Sequence, residues 1–237
     1  MSSNDKYERI LEEYQLSELT DADTFFKRLS GIDPKDVPAN YGNYVSDGQK
    51  MLMDHCTIRT VYQRLKIASK NDASTTVVNN SDAEFVLKGE MVSQALGDSD
   101  ELYAFVLTID GYENIPTNDI MLEYMMDTWG SAYTECAQAD LATRIGAIAT
   151  TEDKIRTHVW CPGQFKFDLK NQSELFSILN PADIHCRLTE RLMMVPVKSA
   201  SGIIGLLPKD SPEPIKPCDY CQHKSSCPAS NKGCAAL

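Results

Sequence analysis

From residue 118 to about 148 runs a stretch whose apolar spacing demands a helix. It follows Pro116 and places Met121, Met125, Ala132, Cys136 and Ala139 along one helical face. The spacing predicts one long helix, or two broken near Gly130. Just upstream, residues 102–109 read LYAFVLTI, a short apolar run bounded by Asp/Ser and Gly, and residues 58–67 are rich in β-branched and aromatic side chains. Both are predicted strands. Residues 6–14 carry Tyr7, Ile10, Leu11 and Tyr14 at helical spacing, and residues 20–29 read as a second short helix before Gly31, Pro34 and Pro38 break the chain. Asn171 with Glu174 three residues on makes a capping-box-like start before LFSIL. Residues 185–189, 193–195 and 199–206 are strand-like. Helices and short strands in this order predict an α+β fold, a twisted, largely antiparallel sheet with flanking helices, rather than regular βαβ alternation. Residues 1–56 read as a helical lead-in, 57–209 as the α+β core and 210–237 as a cysteine-rich tail.

Charge narrows the function classes. The chain has 237 residues, 23 Lys plus Arg and 34 Asp plus Glu, a net charge of −11. Nonspecific binding to nucleic acid or anionic lipid is thereby disfavoured. Residues 82–153 hold fifteen acids against Lys88 and Arg144, a net of −13, whereas residues 154–209 carry a net of +4, the half a carboxylate ligand would prefer. The acidic block reads as a solvated face, or else as a surface for a basic partner. No apolar run approaches the ~20 residues of a membrane span, and the polar, acidic start is unlike a signal peptide, so a cytoplasmic location is expected. In a reducing compartment the eight cysteines are then buried thiols, redox groups or metal ligands.

Cys218, Cys221, Cys227 and Cys234 fall in the tail among Pro217, Pro228 and Gly233, with His223 nearby. Four thiols on a short segment without a core suit an iron–sulfur cluster or zinc, and a Cys-x-x-Cys pair reaches one metal from a tight turn. Cys56, Cys136, Cys161 and Cys186 lie among apolar neighbours and read as buried small hydrophobes. His55, His158, His185 and His223 form no HExxH pair, and no glycine-rich phosphate loop is present. Asp183-Ile-His185-Cys-Arg-Leu188 begins like the DxHxxG cobalamin-module signature, but Leu188 stands where the glycine belongs.

From Cys161 to Gly205 four motifs follow one another: Pro162-Gly163, Leu188-Thr189-Glu190, Met194-Val-Pro196 and Ser199-Ala-Ser201-Gly202. In order and spacing they resemble the activation domain of cobalamin-dependent methionine synthase and its stand-alone bacterial relatives with cysteine-rich tails. The resemblance extends over roughly residues 57–234. It implies a site for S-adenosylmethionine between a turn, Pro162, Gly163 and Gln164, and a ledge comprising Arg187, Thr189, Glu190, Met194, Pro196, Ser199, Ser201 and Gly202. It also implies that cobalamin is reached only through a partner, a corrinoid protein or corrinoid methyltransferase, so that the chain is at most one component of a methyltransferase system. The alternative is an iron–sulfur or zinc protein acting in corrinoid methyl transfer without S-adenosylmethionine. Two positions depart from the family's Arg-x-x-x-Gly-Tyr pattern: the arginine falls at Val159 and the tyrosine at Gln164. S-adenosylmethionine binding is expected to be weak unless Arg156 or Arg187 reaches the cleft.

Overall fold

The computed structural model describes residues 5–164, 166–221 and 224–225. In chain order the elements are β1 (Arg9–Gln15), α1 (Ala22–Ser30), α2 (Tyr44–His55), β2 (Thr57–Asn71), β3 (Ser74–Val78) and β4 (Glu84–Lys88). There follow α3 (Glu90–Leu96), β5 (Glu101–Asp110), α4 (Ile120–Thr151), β6 (Lys154–Arg156), α5 (Asn171–Leu179), β7 (Arg187–Leu188), β8 (Met194–Val195) and β9 (Ser199–Pro208). Seven strands form one sheet in the order β4-β3-β2-β5-β9-β6, with β1 also on β2, and β7 pairs with β8 as a separate hairpin. Every paired neighbour is antiparallel. This is the expected α+β architecture.

The sheet is covered on both faces, which explains why LYAFVLTI has no polar alternation. Tyr103, Phe105, Leu107 and Ile109 of β5 face a core built with α1, α2 and α4; Leu102, Ala104 and Val106 face a second core built with α3 and α5. In the first core Trp129 stacks on Phe26 with ring centroids 4.0 Å apart, and its indole Nε1 donates to the Val45 carbonyl at 2.8 Å.

The long helix is unbroken. Asp119 caps it by accepting from the Met121 and Leu122 amides at 2.9 and 3.2 Å. Gly130 does not interrupt it but makes room on one side: a Cβ there would stand 3.0 Å from Lys198 Cε and 3.1 Å from the Tyr112 ring. Residues 6–14, predicted helical, instead contain β1. Their spacing fits a helix, yet as a strand the segment gains a seven-residue ladder with β2, from Arg9↔Gln63 to Gln15↔Thr57. At residue 171 the capping box is also absent. Asn171 is the first residue of α5, and its amide brackets β4, accepting from the Lys88 N–H and donating to the Lys88 carbonyl, each at 2.6 Å. Of the stretch 185–189 only Arg187–Leu188 is strand; His185 sits in the left-handed region at φ 59°, closing a short 3-10 turn.

Candidate functional site

The chain leading into the turn joins the last ledge residues at a seam along β9. Trp160 bridges Ile203 antiparallel, with N–H to carbonyl distances of 3.1 and 2.9 Å. The chain leaving Trp160 therefore starts out beside Gly202, the last residue of the ledge, and turns at Cys161–Gln164, where the Gln164 amide donates to the Cys161 carbonyl at 3.1 Å. Gly202 makes the approach possible: a Cβ there would lie 2.7 Å from the Trp160 carbonyl oxygen and 2.9 Å from the Phe105 ring. Gly202→Ala is expected to cost about 1–3 kcal/mol as an overpacked site and to part turn from ledge. A denaturant titration reads the first effect, and hydrogen exchange at the Trp160 and Ile203 amides reads the second.

The turn closes on itself. Gly163, at φ 89°, donates to the Phe167 carbonyl at 2.8 Å, and the Phe167 amide returns to the Gln164 carbonyl at 2.7 Å. The Gln164 side chain folds back, its Oε1 accepting from the Cys161 amide at 3.3 Å. Val159 is 2% exposed and belongs to the first core. No guanidinium fork is therefore built at this turn.

On the ledge most polar groups serve the fold. Thr189 closes the hairpin, its N–H donating to the Met193 carbonyl at 2.8 Å while its Oγ1 accepts from the Met193 amide at 3.1 Å. Ser199 donates to Thr108 Oγ1 or the Pro196 carbonyl, at 2.7 and 2.6 Å, and the Cys186 thiol lies 3.7 Å from it. Val195–Pro196 is a cis peptide bond. Met194 packs against the second core. Ser201 differs: 2% exposed, its hydroxyl has no hydrogen-bond partner among the described residues. Arg187, Thr189 and Glu190 line an open groove of about 590 Å³ with Leu188, Arg191 and Met193.

Arg156 is not available to this region. It pairs with Leu206, seven residues along β9 from Ser199, roughly 23 Å at ~3.3 Å per residue. Its guanidinium packs on Gly146 and donates to the Thr157 carbonyl at 2.9 Å, and burial lowers its pKa.

Lys198 carries no motif signal, being one basic residue between two strand-like runs. It fixes the ledge to α4: buried, it bonds Asp127 at 2.6 Å and Ser131 at 3.0 Å, lies 5.5 Å from the Tyr112 ring centre, and rests in the Gly130 gap. Next to it the Val197 amide donates to Glu113 at 2.7 Å.

Burial pushes the thiols of Cys56 and Cys161 up to about 12 and those of Cys136 and Cys186 to about 11, so none supplies a thiolate at neutral pH. The tail returns toward the seam, where Tyr220 meets Trp160 edge-on at 6.3 Å. Cys218 lies in that turn and Cys221 follows it, both half-buried; Cys227 and Cys234 lie outside the described residues. Structural zinc takes four ligands, and among the described residues no group of three or more His, Cys, Asp or Glu is placed to hold a metal.

No family model and no curated protein sequence matches the chain. Among solved structures, the MetH reactivation domain bound to AdoHcy matches with a TM-score of 0.61, covering 96% of this chain and 86% of that one at 16% identity. The chain has the reactivation-domain fold. The likeness spans lead-in, sheet and ledge together. Among the described residues no helix is long and apolar enough to cross a membrane.

Proposed function

We propose that this protein is an accessory activation protein for a corrinoid-dependent methyltransferase, acting in the cytoplasm and binding S-adenosylmethionine or its demethylated product at the seam. The observation that carries the reading is the fold shared, over 96% of the chain, with a domain solved with AdoHcy bound. In this reading Pro162, Gly163 and Gly202 bring backbone close to the ligand. Thr189, Glu190, Ser199 and Ser201 are its polar neighbours, Met194 and Pro196 its apolar ones. The Ser201 hydroxyl supports this, since a buried hydroxyl left unpaired by the fold is a group a ligand can satisfy. Cobalamin is carried by a separate corrinoid protein, and this chain's contribution is positioning.

Calorimetric titration of the full chain with AdoHcy and with S-adenosylmethionine tests the reading. Losing one charge-assisted hydrogen bond costs ~1.5–3 kcal/mol, so binding is expected roughly tenfold to hundredfold weaker than at a site with an arginine clamp. Gln164→Tyr should tighten it. Val159→Arg is not a useful companion, because it would place an unpaired guanidinium in the core. No saturable heat from either ligand, with the parent and with folded Gln164→Tyr, overturns the proposal.

A further inference from the structure

The chain has eight arginines. Arg9, Arg28, Arg59, Arg64 and Arg144 each hold a carboxylate, and Arg156 donates to a carbonyl. Arg187 and Arg191 do neither with any described residue. Both are exposed, and both line the groove of about 590 Å³. In a chain of 34 acids and net charge −11, two guanidiniums four residues apart have no carboxylate partner among the described residues. Met193, 62% exposed, lines the same groove, and Val197, 56% exposed, follows two residues after β8.

This surface is held in place from behind. The Arg187↔Val195 and Leu188↔Met194 register sets the hairpin, Thr189 locks its tip, and Lys198 and Glu113 tie its return to the body. Binding here orders little that is not already ordered, which lowers the entropic cost of association. A guanidinium presents donors in a planar fork matched to carboxylates, and an apolar spot between such groups is the pattern of a protein contact.

We propose that the outer face of the β7–β8 hairpin docks an acidic protein partner, whose carboxylates pair with Arg187 and Arg191 around an apolar contact on Met193 and Val197. The acidic remainder of the chain repels such a partner, so the hairpin also sets its orientation. Of these four side chains only Arg187 is among those the family resemblance implies for the adenosyl ligand, and the peptide titration is read without that ligand, so the two readings fail separately.

The test titrates the full chain with a fluorescent peptide of glutamates interspersed with leucines. Saturable binding that weakens with salt is expected. Arg187→Ala and Arg191→Ala together should weaken it roughly tenfold, two exposed pairs at up to ~1 kcal/mol each, with an unchanged unfolding midpoint. Met193→Ser should weaken it further. The proposal is overturned by no binding of the peptide to the parent, by equal binding to the double arginine variant, or by a lysine–leucine peptide binding as tightly. Displacement by inorganic pyrophosphate also overturns it, marking a site for small anions instead.

Discussion

Arg64→Met is expected to destabilise the protein by about 3 kcal/mol, the low end of the range for breaking a buried ion pair. Arg64 is 1% exposed and bonds Glu101 at 2.5 Å and Glu152 at 2.6 and 2.5 Å. It thereby ties β2 to β5 and to the residue after α4. Its removal leaves two carboxylates short of a cation, Glu101 buried and Glu152 partly exposed. The loss is not larger because Lys154 still reaches Glu101 at 2.8 Å, and Lys6 stands 3.3 Å from it. Urea unfolding of the parent and variant reads the difference; a change under ~1 kcal/mol would mean that solvent screens the cluster, as at an exposed pair.

Acidification should remove stability from the same place. Burial by itself would raise the Glu101 pKa, but hydrogen bonds from Lys154, Tyr7 and Arg64 outweigh it and hold the carboxyl down at about 2, against 4.5 for the free group. A carboxyl depressed on folding stabilises the folded state in full above its unfolded pKa. The contribution, about 3 kcal/mol at ~1.4 kcal/mol per pH unit, is therefore intact above pH 4.5 and lost as the pH falls toward 2. Glu152 shifts in the same direction, chiefly through its hydrogen bond from Arg64. Unfolding free energies measured between pH 5 and 2 should fall steeply in the parent and less steeply in Arg64→Met. Equal slopes would show that the cluster does not govern acid stability.

Legibility from sequence followed the kind of force involved. The strand at residues 102–109 and the helix at residues 118–148 were readable because burial writes their pattern into the residues themselves; β5 is one residue longer at each end, and α4 starts two residues later and ends three residues later. The segment at residues 6–14 was not, because its partner strand begins at Thr57 and a cross-strand ladder leaves no local trace. Asn171 misled for a related reason: the amide that would cap its own helix is engaged by Lys88, 83 residues away. Pro162-Gly163 and Ser201-Gly202 could be picked out as motifs, but the bridge that joins them, Trp160 to Ile203, is a tertiary fact. Lys198 could not be found at all, since its meaning comes from the gap at Gly130 on another element.

The place of β5 at the centre of the sheet has a consequence for how the chain is made. Its neighbour β2 precedes it, so one side of β5 can be paired as soon as it leaves the ribosome. On the other side Thr108 must wait for Ser199, 91 residues later, with the whole of α4 synthesised in between. During that interval an apolar strand carries an open row of N–H and C=O groups, the configuration most prone to pairing with the wrong chain. The long helix that follows packs on one face of β5 and leaves that edge row open, so the centre of the sheet is complete only once β9 has been made.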